Sequence, residues 1–118
     1  MTDVRETKES IRKRMRQQRA ALQPDWVASR SAQIAERFLG LDAFRQADTV
    51  GLYMALPGEV CLDAVTARAW ELGKRVVVPA HSEALSAYGF KEMEPDTEVV
   101  SGLWGVREPT TKAWAEIG

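Results

Sequence analysis

The sequence is short of the residues that make metal sites, disulfides and membrane spans. Cys61 is the single cysteine and His81 the single histidine. No intrachain disulfide can form, and one Cys with one His cannot build a Cys/His zinc site. No apolar run approaches the length of a membrane span, and the opening "MTDVRETKES" lacks the apolar block of a secretory signal. These absences make a cytoplasmic protein with no membrane partner the expectation. Neither the phosphate loop "GxxxxGK[ST]" nor the dinucleotide turn "GxGxxG" is present, so the common nucleotide-binding folds gain no support. There is no internal repeat and no low-complexity tract.

What is present is an ordinary globular mixture, 45% apolar and 28% charged over 118 residues, enough for one domain across 1–118 with a modest core. The net charge of −1 is unevenly spread: residues 5–19 hold seven bases and two acids. A positive pole on a mildly acidic body suggests an anionic partner. Nucleic acid is not expected, because the basic stretch has no interleaved aromatics and the body is acidic. The oligomeric state is left open.

Residues about 6–22 read as a helix capped by Thr7, with Ile11, Met15 and Leu22 within about 40° of one another at 100° per residue. Arg5, Lys8, Arg12, Arg16 and Arg19 form a second stripe roughly 80° away, beside the apolar face, where long stems pack and charged heads reach a neighbouring cleft. Lys13 and Arg14 point away from it, toward solvent. Pro24 opens a second helix with Ile34, Phe38 and Leu41 as its apolar face and Gly40 as its stop. "LDAFRQAD" reads as a short helical connector. "TVGLYM" (49–54) reads as a strand, "CLDAVTARAWELG" (61–73) as a helix with Leu62, Val65, Ala69 and Leu72 inward, and "KRVVVP" (74–79) as a second strand. Strand, helix and strand in about 30 residues predict a right-handed parallel βαβ unit. "SAYGFKEM" (86–93) is a third strand in a mainly parallel sheet, and the segment after it reads as loop.

The stretch "YMALPGEV" (53–60) then lies beyond the carboxyl end of the first strand, where open α/β sheets bind ligands. Glu59 stands there as a ligand-facing acid or as a cap for the helix starting near Cys61. Cys61 reads as a packing residue, His81 as a loop histidine, and Arg107 with Glu108 as a surface pair.

Three motifs in order, "KESIRKRMRQQRAAL", "VGLYMALPGEV" and "GLWGVREP", with "GKRVVVP" between the last two, resemble 5-formyltetrahydrofolate cyclo-ligase, the family also called methenyltetrahydrofolate synthetase. The resemblance covers essentially the whole chain. It implies a three-layer α/β/α fold, Rossmann-like (NagB/RpiA/CoA-transferase-like). It also implies ATP-dependent conversion of 5-formyltetrahydrofolate to 5,10-methenyltetrahydrofolate with ATP and Mg²⁺, giving ADP and phosphate. On the matching positions, Lys8 and Arg12 would contact ATP phosphates, and Met54 and Glu59 the folate. Trp104 would line the folate pocket, or anchor a turn. Met54, taken on its own, reads equally as core. Members of the family continue into a glycine-rich "RLGxGxGYYDR" loop that is not in this sequence, so the chain resembles an N-terminal portion, truncated at the C-terminus and expected to be inactive alone. A non-catalytic folate- or nucleotide-binding module, or one that holds a partner chain, is the competing expectation.

Overall fold

The computed structural model describes residues 7–102 and 105–116. The basic helix is present as α1 (Lys8–Ala20), and the Thr7 hydroxyl accepts from the Ser10 N–H at 3.1 Å, as the sequence predicts for the cap. Pro24 opens α2 (Pro24–Leu39), Gly40 ends it, and the connector forms α3 (Asp42–Gln46). Then follow β1 (Thr49–Gly51), α4 (Asp63–Glu71), β2 (Arg75–Ser82) and β3 (Ala87–Glu92). Gly73 closes the helix region with φ +74, a conformation that suits glycine.

The parallel βαβ unit is there: Val50 pairs with Val76 and Gly51 with Val77. The mainly parallel sheet is not. β3 runs antiparallel to β2, with Pro79 opposite Phe90 and His81 opposite Tyr88, so the sheet β1-β2-β3 is mixed. The cause is the link between them. Residues 83–86 are enough for a hairpin, whereas a parallel return needs a crossover of about a dozen residues. β1 is also shorter than expected. The chain leaves the ladder after the Leu52 N–H donates to the Val77 carbonyl at 2.9 Å. A small second sheet, β4 (Val99–Ser101) against β5 (Arg107–Pro109), occupies part of the segment read as loop.

One face of the sheet carries the core. Val76 and Val78 of β2 and Val50 and Leu52 meet Ala35 of α2, Phe44 of α3, and Val65 and Ala69 of α4. Valines suit this surface because their branched Cβ packs on a pleat, and each one fully buried is worth about 1.5–3 kcal/mol. Lys74 joins α3 to the sheet: its ammonium donates to the Arg45 and Ala47 carbonyls at 3.0 and 2.6 Å and lies over the Phe44 ring. Several residues expected to face inward do not. Ile11 and Met15 of α1, together with Leu22, Ile34, Leu41 and Leu72, are exposed. In α2 the buried stripe is Ser31 and Ala35 with Phe38 partly buried, a rotation of the inward face that the apolar residues alone did not reveal.

Candidate functional site

The loop after β1 is organised by its own sequence. Leu56-Pro57-Gly58-Glu59 forms a turn in which the Glu59 N–H donates to the Leu56 carbonyl at 3.0 Å and Gly58 sits at φ +84. Proline second and a positive-φ glycine third are the requirements of a type II turn. The Glu59 carboxylate closes it from outside, Oε1 accepting from the Leu56 N–H at 2.7 Å. Glu59 therefore clamps its own turn. The first residue before α4, Leu62, has no side-chain cap bond, so Glu59 does not serve as the α4 cap.

The glycine has a second function. A Cβ on Gly58 would lie 2.9 Å from the Arg19 carbonyl oxygen and 3.1 Å from the Arg19 Cβ. The turn thus fits directly against the last turn of α1. Between them opens a cleft of about 950 Å³. Its apolar wall includes Leu22, Val27 and Leu56, and its charged groups are Arg16, Arg19, Glu59 and Arg107. Three guanidiniums and one carboxylate around an apolar floor suit a flat, partly apolar anion, since guanidinium both pairs with carboxylate or phosphate and stacks on rings.

The expected site residues divide. Glu59 lines the cleft. Lys8 and Arg12 lie exposed on the earlier turns of α1, away from the cleft wall, and the basic stripe reaches the cleft that Glu59 lines through Arg16 and Arg19 instead. Met54 is partly buried and packs against the core cluster. Trp104 lies outside the described residues. Arg107 and Glu108 are not a surface pair. Arg107 faces the cleft, while Glu108 Oε1 accepts from the His81 N–H at 2.7 Å and ties β5 to the end of β2. Cys61 is half-buried at the cleft, its N–H held by the buried Ser31 hydroxyl at 2.9 Å.

Tyr53 was not anticipated at all. Its hydroxyl donates to the Val60 carbonyl at 3.2 Å, bridging the two ends of the loop. Burial, with the Glu59 carboxylate and Cys61 adding to it, raises its pKa above the ordinary 10.0. The signal for Arg16 and Arg19 was the stripe itself; for Tyr53 and Glu108 the sequence carried none, because each acts through backbone atoms distant in sequence.

Among the described residues no group of three or more His, Cys, Asp or Glu side chains could hold a metal ion. Those residues therefore do not fit a resident Mg²⁺ site.

The sequence matches the model of the 5-formyltetrahydrofolate cyclo-ligase family over residues 4–117. It is 23% identical over 115 residues to a probable 5-formyltetrahydrofolate cyclo-ligase of Caenorhabditis elegans, covering 95% of this chain and 56% of that protein. The fold is similar to the NMR structure of Aquifex aeolicus 5,10-methenyltetrahydrofolate synthetase, with a TM-score of 0.75 at 19% identity over 91% of this chain and 54% of that one. The chain thus spans a little over half the length of these relatives. With the family model matched across nearly every residue, the turn-borne acid and the basic helix stand in a recognised frame: the chain belongs to the 5-formyltetrahydrofolate cyclo-ligase family.

Proposed function

We propose that this chain supplies the folate-orienting wall, and one cationic side of the nucleotide site, of an enzyme converting 5-formyltetrahydrofolate to 5,10-methenyltetrahydrofolate with ATP. The observation that carries the reading is the cleft beyond β1, which Glu59 lines together with Arg16, Arg19 and Arg107 and several apolar side chains. In the reaction, the formyl oxygen takes the γ-phosphoryl group of ATP and ADP leaves. N10 then attacks the activated carbon, and the C–O bond breaks to release phosphate. The chemistry asks the protein chiefly for positioning and for cations around the transferring group.

Glu59 suits the orienting role, because its turn is already rigid and its carboxylate sits at the cleft. Arg16 and Arg19 continue toward the cleft the basic row that begins with Lys8 and Arg12, one helical turn apart. Lys8 and Arg12 are proposed as contacts for the ATP phosphates, Met54 as support for the loop beneath the folate, and Trp104 as a further pocket residue. ATP is a substrate here, and the reaction is placed in the cytoplasm.

The test is direct binding of 5-formyltetrahydrofolate to the purified chain, followed by tryptophan fluorescence and by the shift in thermal midpoint, with methenyl product read by absorbance after Mg²⁺-ATP is added. Saturable folate binding that weakens about tenfold or more in Glu59→Gln, the loss of roughly one charged hydrogen bond, is the expected result. Gln keeps an oxygen for the Leu56 N–H, so the turn survives the change. No folate binding by the wild-type chain, or equal binding by Glu59→Gln, would overturn the reading.

A further inference from the structure

The loop that carries Glu59 is held at both ends by side chains that lie outside its turn. Tyr53 stands where the chain leaves β1, and its hydroxyl donates to the Val60 carbonyl at 3.2 Å. Residues 53–60 are thereby closed into a ring, the form of a compact surface loop with its ends together. Ser31 holds the next residue from the other side. From α2 its hydroxyl accepts from the Cys61 N–H at 2.9 Å. Ser31 is 5% exposed and belongs to the buried stripe of its helix. Thr66, also polar and buried, turns its hydroxyl onto its own helix, donating to the Leu62 carbonyl at 3.1 Å. Ser31 reaches across to another element instead. A helix favours alanine over serine, and Ala35, one turn on, is buried on the same face. The bond to Cys61, and not the packing, accounts for the hydroxyl.

We infer that Tyr53 and Ser31 are positioning residues that act through Glu59, holding its carboxylate at the cleft before a ligand arrives. Neither side chain lines the cleft. Val60 and Cys61, the two residues they hold, follow Glu59 directly. The backbone that presents the carboxylate is thus tied to the end of β1 on one side and to α2 on the other. Within that frame the bond from the Leu56 N–H to Glu59 Oε1 and the seat of Gly58 against Arg19 set where the turn stands. A loop already ordered loses less entropy when it binds, so removing a pin should weaken binding although no contact to the ligand is lost. The identity of that ligand rests on the folate reading; the pins rest on the loop geometry.

Hydrogen exchange on the free chain tests the pins. In Tyr53→Phe the Leu56 and Cys61 amides should exchange about fivefold faster, the worth of one neutral hydrogen bond. In Ser31→Ala the Leu56 amide should do the same. In each case the altered side chain does not itself bond the amide that is read. The Val76 and Val78 amides, which open with the whole molecule, should be accelerated less; a change that merely weakened the fold would speed all of them alike. Binding of 5-formyltetrahydrofolate, followed by tryptophan fluorescence, tests the route through Glu59. Either variant should weaken binding about fivefold on its own, and by less than about twofold when added to Glu59→Gln, because the carboxylate being positioned is then gone. The two variants act from opposite ends of the loop, and circular dichroism reports the folding of each, so one that does not fold leaves the other to decide. Unchanged exchange at Leu56, or equal losses of binding with and without Glu59→Gln, would overturn the inference. A wild type that binds no folate overturns the function reading instead, and exchange at Leu56 then decides the pins by itself.

Discussion

At the residue scale, the same small turn sets position, contact and charge. Gly58 has to be glycine for two reasons, its φ of +84 and the Arg19 backbone 2.9 Å from where a Cβ would stand. Gly73 has only the first, since nothing lies within 4 Å of its missing Cβ. Gly73→Ala should therefore cost about 1–2 kcal/mol, the left-handed penalty alone. Gly58→Ala should cost at least about 1 kcal/mol more, because the backbone of α1 must also retreat. Urea denaturation of the two variants checks the order. Tyr53 supplies a pH dependence. Its raised pKa means that the folded chain holds the phenolic proton more tightly than the unfolded chain does. The stability it contributes is complete below pH 10.0 and drains away as pH rises through the raised value, because unfolding then releases a proton. Tyr53→Phe should lose less stability than wild type between about pH 9 and pH 11 in thermal melts. Of these residues, Glu59 was legible from sequence, because Pro-Gly followed by an acid after an apolar strand defines both a turn and its location. The bond Glu59 makes was not legible, since the same residue also read as a cap for the following helix.

At the level of elements, punctuation was the reliable signal. Thr7, Pro24, Gly40 and Gly73 mark the helix ends almost where they fall. The direction of β3 was also readable and was missed, since a four-residue link cannot return a strand in parallel. The β4–β5 pair was not readable. Three-residue strands carry too few alternations to show a period, and β5 is tied to β2 by a contact distant in sequence, Glu108 accepting from the His81 N–H. α1 shows how far periodicity can mislead. Its apolar stripe is genuine, yet no part of the helix is buried. Its stability is consequently local, and Thr7→Ala should lower helicity at its start by the equivalent of about 0.5–2 kcal/mol while the midpoint for global unfolding barely moves. Hydrogen exchange resolves the two, with α1 amides exchanging far sooner than those of β2 in both proteins.

On the scale of the whole molecule, the charge imbalance visible in the sequence becomes a spatial one, its bases gathered along the exposed helix α1. The family frame was legible because three motifs kept their order. Which cations reach the cleft was not, because that depends on how far α1 stands from the turn, a distance the sequence does not encode locally. The contact between Gly58 and Arg19 also has a meaning in time. Gly58 leaves the ribosome thirty-eight residues after Ala20 ends α1. At 5–20 residues per second that is about 2–8 s, long beyond the microsecond in which a helix forms. Through that interval α1 lacks the turn that meets its last residues, and a helix of thirteen residues left to itself is marginal. The turn that finally meets it arrives late, and the end of α1 settles only after Gly58 has been made.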